Sequence, residues 1–114
     1  MEENLVVDQK DAQDNKIMAI LAYLGILFLV PYLAAKESPF ARFHANQGCV
    51  LFIVEIATWA LISILAFVPG FRWLSLLLSL LYFVFFAFAI IGIINVTKGE
   101  MKELPVIGKY RILK

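Results

Sequence analysis

Between Ile17 and Ala35 there is no Asp, Glu, Lys or Arg, and there is none between Leu74 and Val96. Between Cys49 and Val68 there is one, Glu55. Gaps of this length exclude an ordinary soluble domain. A chain of 114 residues has more surface than core, so a content of 62% hydrophobic residues cannot be hidden inside it. The bilayer is the solvent for much of this chain. Cysteine is nearly missing as well: Cys49 stands alone, so no intramolecular disulfide forms and the redox compartment is not encoded. Histidine is also single. His44 and Cys49 lie five positions apart with no second pair, so no metal site is expected, and no cofactor. No Ser-His-Asp or Cys-His set falls on one face, and no paired carboxylates are set for acid–base work, so no catalytic residue is expected. The scattered glycines make no phosphate-cradling loop. A net charge of +1 directs nothing towards nucleic acid. The N-terminus is acidic (Glu2, Glu3, Asp8, Asp11, Asp14) rather than basic, so no removable signal peptide is expected.

What is present is a series of apolar runs with sharp boundaries. The reading is all-α and integral to the membrane, with three transmembrane helices at about 17–35, 49–68 and 74–96. An interfacial helix precedes the second span and an amphipathic C-terminal tail follows the third. Residues 1–15 form an acidic flexible leader, 16–96 the transmembrane domain and 97–114 a basic tail. The nineteen residues from Ile17 to Ala35 reach about 29 Å as a helix, close to the hydrocarbon thickness. Pro31 should kink the end of that helix. Ser38-Pro39 reads as an N-cap with Pro at the first helical position. A helix from Pro39 to Val68 would be about 45 Å long, too long to stand upright in hydrocarbon. Pro39–Gln47 is therefore expected at the interface, with a bend near Gly48. Pro69-Gly70 marks a tight turn, and Arg72 and Trp73 suit the headgroup level. Lys98-Gly99 marks a helix stop. Counting Lys and Arg over three spans places the 36–47 loop and the tail in the cytoplasm and the N-terminus outside.

The chemically capable side chains gather between Lys36 and Glu55. Arg42, His44, Asn46, Gln47 and Glu55 are the candidate functional polar residues, with Asn95 near the end of the third span. An unpaired carboxylate at the position of Glu55 costs on the order of 3 kcal/mol in a membrane helix. It escapes by protonation, by pairing with a neighbouring helix, or by facing water. His44 precedes Glu55 by eleven residues, almost a whole number of turns, so an unbroken helix would put both on one face about 16 Å apart. That stripe could serve protons. The plainer reading of His44 and Gln47 is bonding to headgroups or to the next loop.

The stretch KESPFARFHANQG (Lys36–Gly48), followed by an apolar span, resembles a family of small prokaryotic membrane proteins without an assigned activity. That family is similar to the twenty-kilodalton subunit of the chloroplast Tic import translocon. The opening KIMAILAYL (Lys16–Leu24) and the tail GEMKELPVIG (Gly99–Gly108) agree with the pattern, so the resemblance covers about residues 16–108. It implies an all-helical polytopic protein of the prokaryotic cytoplasmic membrane. For the plastid relative it implies a part in protein translocation. Three short helices do not enclose a wide pore without oligomerising or joining a larger complex. The function expected is thus a non-enzymatic component of membrane transport, protein translocation or envelope assembly. Its partners would be the lipid bilayer and either a homo-oligomer or other membrane proteins. The alternative is a small proton- or cation-conducting unit centred on Glu55.

Overall fold

The structure, a computed structural model, describes residues 7–113. Glu2 and Glu3 of the acidic leader and Lys114 of the tail lie outside the described residues. All regular structure among the described residues is helical. In chain order the elements are α1 (Gln9–Asp14), α2 (Lys16–Leu21), a 3-10 segment (Gly25–Phe28), α3 (Leu29–Ala34), α4 (Pro39–Phe67), α5 (Arg72–Leu78) and α6 (Leu81–Thr97).

Among the described residues, two helices are long and apolar enough to cross a membrane. They are Pro39–Phe67, with 29 residues, and Arg72–Thr97, with 26 residues counted through the α5–α6 junction. The expected first span, 17–35, is not one helix. The chain leaves α2 at Ala22, turns through Tyr23 and Leu24, and continues with Gly25 at φ +64°. Pro31 falls in the first turn of α3, where its missing N–H is harmless.

The two ends of this segment meet. Asp11, before α2, accepts hydrogen bonds from the Ser38 hydroxyl (2.6 Å) and the Phe40 amide (3.0 Å), both beyond α3. The segment therefore goes in and comes back as a helical hairpin. The described part of the leader, residues 7–15, lies at the same end of the molecule as the 36–47 loop, not beside the 69–73 turn as the three-span reading expected.

The start of α4 follows from its caps. Pro39 has no amide to satisfy. Ser38 Oγ accepts the Ala41 amide at 3.0 Å, and Asp11 takes the Phe40 amide. Two orphan donors of the first turn are thus paired, one locally and one from far away in sequence.

The expected bend near Gly48 is missing, and α4 runs unbroken for 29 residues, about 43 Å. Gly48 is a contact point instead of a hinge: a Cβ there would overlap the Ala22 carbonyl. The excess over a hydrocarbon layer of about 30 Å is roughly 13 Å, the length of Pro39–Gln47. That excess is enclosed by α1, the hairpin and the tail. From Phe40 to Leu51 every residue of α4 except Arg42 is buried, and from Phe52 to Phe67 none is.

At the far end, Pro69 and Gly70 form a turn closed by the Phe71 amide on the Val68 carbonyl at 3.0 Å, with φ +86° at Gly70. The helix α5 then packs back on α4. Ser79 and Leu80 join α5 to α6 through a tightened turn. The end of α6 is a Schellman cap: the Gly99 amide donates to Val96 and the Glu100 amide to Asn95, both at 2.9 Å.

The tail is not the expected amphipathic helix. Residues 100–113 form turns and extended chain laid across the first half of α4. The reason is local: α6 ends in a left-handed Gly99, Pro105 interrupts the chain, and α4 supplies the hydrogen bonds that a helix would have made internally.

Candidate functional site

Three of the six candidate polar residues, His44, Asn46 and Gln47, converge on one buried cluster at the start of α4. His44 is fully buried. Its Nε2–H donates to the Glu100 carbonyl at 2.9 Å, which leaves Nδ1 to accept from the Tyr23 hydroxyl at 2.6 Å. Both partners are thus satisfied by a neutral ring. Tyr23, Phe40 and Phe43 meet the imidazole edge-on, with centroids 5.6, 4.7 and 5.1 Å away. The imidazole is walled off, so the proton stripe that the His44–Glu55 spacing allowed has no open mouth at His44.

Gln47 is equally buried and reads the tail with both ends of its amide. Its Nε2 donates to Gly108 O and its Oε1 accepts from the Leu104 amide, each at 2.9 Å. Asn46 does the same one step further along. Its Nδ2 donates to Tyr110 O at 2.8 Å, and its Oδ1 accepts the Ile112 and Leu113 amides at 2.7 and 2.9 Å. Two adjacent amide side chains therefore pair the backbone of a segment that has no secondary structure of its own. Unpaired, those buried groups would each cost about 1–3 kcal/mol.

Arg42, Glu55 and Asn95 stand apart from that cluster. Arg42 is exposed and lines a cavity of about 240 Å³ with Tyr32, Asn46 and Arg111. Asn95 is buried at the end of α6, where its carbonyl serves the cap and its amide reaches Lys102 O at 3.5 Å. Glu55 is half-buried on the second half of α4, and among the described residues its carboxylate has no hydrogen-bond or ion-pair partner.

Sequence reasoning missed Tyr23 and Asp11. Tyr23 has the clearer signal: a buried tyrosine in an uncharged run needs a partner for its hydroxyl. Its ring also fills the space that a Cβ on Gly92 would occupy, so one side chain joins the hairpin to α4 and α6. Asp11 is one acid among several in the leader, and nothing local marks it as the cap of a distant helix.

Arranged this way, the cluster is a latch. Its donors and acceptors are turned on the chain itself, the buried Tyr23–His44 pair included. The motif residues are therefore explained one by one. Phe40, Ala41 and Ala45 pack inside, Phe43 lies under the Arg111 guanidinium at 5.4 Å, His44 holds Glu100, Asn46 and Gln47 hold the tail, and Gly48 admits Ala22.

The family model described as the magnetosome magnetite crystal formation protein family, MamF/MmsF, matches residues 14–112. The chain belongs to the MamF/MmsF family. It is 41% identical over 100 residues to a UPF0132 membrane protein of Methanocaldococcus jannaschii, covering 83% of each chain. It is 30% identical over 113 residues to the magnetosome protein MamF of Magnetospirillum gryphiswaldense, covering 95% of each. Magnetosome protein MmsF of Paramagnetospirillum magneticum is 31% identical over 94 residues, covering 81% of this chain and 80% of the relative. No solved structure matches the chain. The matched range of this MamF/MmsF member contains the hairpin, both long helices and nearly all of the described tail, so the match takes in the latch as well as the apolar segments. Its relatives are membrane and magnetosome proteins from bacteria and archaea.

Proposed function

We propose that this chain is a non-enzymatic, two-span protein of the prokaryotic cytoplasmic membrane that works by assembling side by side in the bilayer. Glu55 carries this reading. The other candidate polar side chains of α4 buried in the protein are paired within the chain, whereas Glu55 sits on the apolar half with no partner among the described residues. A carboxylate in lipid needs a partner, and a second copy or another membrane protein supplies one.

Both ends of the described chain and the 36–47 loop then face the cytoplasm. Eight described Lys and Arg residues belong to that end, and Arg72 alone to the other. This imbalance is stronger than the one three spans would give. Among transport, protein translocation and envelope assembly, the geometry favours assembly, because two crossing helices enclose no path. The likeness to the Tic subunit fits a component that joins larger complexes. Relatives bring the theme of magnetite crystal formation. Direct contact with iron or mineral calls for oxygen ligands, and the turn at 68–73 offers Arg72 and no carboxylate. The part assigned to this chain is therefore organisation of the membrane.

Cross-linking in native membranes tests the proposal. Wild type and Glu55→Gln should give discrete multimers, and Glu55→Leu should lose them. A pH-dependent ion flux in reconstituted vesicles that Glu55→Gln abolishes, with only monomer present, would favour the conduction reading instead.

A further inference from the structure

The helices are not spread evenly along the long axis. At the end that holds the latch, α2, α3, α4 and α6 lie side by side. Among the described residues, only α4 and α5 reach the other end. The hairpin stops early: its deepest ring contact is Phe28 on Phe52, at 5.7 Å. Phe52 lies about 22 Å along α4 from Phe67, more than half of a hydrocarbon layer of about 30 Å. The hairpin therefore stays within one leaflet. It belongs in lipid because its outward residues are apolar: Ile17, Leu24, Ile26, Leu27, Leu29 and Leu33 are exposed, Ile17 at 73%.

We infer that the molecule is a wedge that favours curved membrane, with its wide, hairpin-bearing end in the convex leaflet. The partner is the lipid surface itself. With two helices at one level and four at the other, the protein's cross-section roughly doubles between leaflets, counting each helix as a cylinder of about 10 Å. A flat bilayer must deform to fit such a body, and a bilayer curved around the wide end need not.

Close packing makes the wedge stiff. The hairpin is locked to α4 at Ala22–Gly48, to α6 at Tyr23–Gly92, and to the start of α4 through Asp11. The direction of bending in a cell rests on the orientation proposed above: with the wide end cytoplasmic, the membrane bulges inward. The shape does not rest on that orientation or on assembly.

The test uses the full chain with Cys49→Ala, after its thermal unfolding is shown to match wild type. One version carries Glu37→Cys at the wide end and another Phe71→Cys at the narrow end. Each is reconstituted into phosphatidylethanolamine–phosphatidylglycerol vesicles of tens or of hundreds of nanometres and labelled with a membrane-impermeant maleimide. In the small vesicles Glu37→Cys should label from outside in severalfold excess over Phe71→Cys, and in the large ones the two should approach equality. Protein per lipid should also be severalfold higher in small vesicles when both sizes form from one mixture. Labelling and content independent of vesicle size would overturn the wedge. Cross-linking the same samples separates the two readings: a size-sorted monomer keeps the wedge and loses assembly, and a size-indifferent multimer does the reverse.

Discussion

The two halves of α4 belong to different proteins in all but covalent connection. Its first half is buried, polar-paired and specified residue by residue. Its second half has no buried residue and a single ionisable group. In the first half, the chain supplies its own surroundings, so each side chain has one correct partner. In the second half lipid is the partner, and any apolar side chain of suitable length will do. The comparison sets a stretch in which buried side chains have named partners against an apolar run specified by little but its length.

The sharpest way to break the comparison is to overfill the first half. Gly48→Leu drives a side chain into the Ala22 backbone and should cost about 3 kcal/mol or more. Ile56→Leu on the lipid-facing half should stay within about 0.5 kcal/mol. Thermal unfolding in one detergent compares the two directly.

Next comes Gln47→Leu, which leaves the Leu104 amide without its partner and the Gly108 carbonyl with the Arg111 guanidinium alone. A loss of about 1–3 kcal/mol is expected. Hydrogen exchange at Leu104 should quicken while amides around Ile56 keep their rates. Tyr23→Phe removes only the hydroxyl that His44 Nδ1 accepts. It should cost about 1–2 kcal/mol and speed exchange in the hairpin, as read by mass spectrometry. Smallest is Asp11→Ala, which uncaps α4 from outside. It should cost about 1 kcal/mol and increase protease cleavage near residues 35–38, seen on a gel.

Much of this was legible beforehand. The apolar second half of α4, the Ser38-Pro39 start, the Pro69-Gly70 turn and the Gly99 stop all follow from local chemistry, and all stand in the structure. The polar residues of interest were also visible, because a His, an Asn and a Gln beside an apolar run are conspicuous. What was not legible depends on contacts far apart in sequence. Residues 17–35 have the length and composition of a span. They fold back because Tyr23 is drawn to His44 and Gly92, and Ala22 to Gly48. Gly48 looked like a bend because nothing in its own neighbourhood shows what presses against it. The tail reads as an amphipathic helix until Asn46 and Gln47 are seen to hold its backbone.

The claim underlying this account is that the 17–35 segment returns to the side it left. Site-specific labelling in membrane vesicles of known sidedness measures this most directly, with Cys49→Ala as background and single replacements Gln13→Cys, Glu37→Cys, Lys98→Cys and Phe71→Cys. The account predicts that the first three react from the cytoplasmic side and the last from the opposite side. Reaction of Gln13→Cys from the same side as Phe71→Cys would make 17–35 a crossing helix and contradict it.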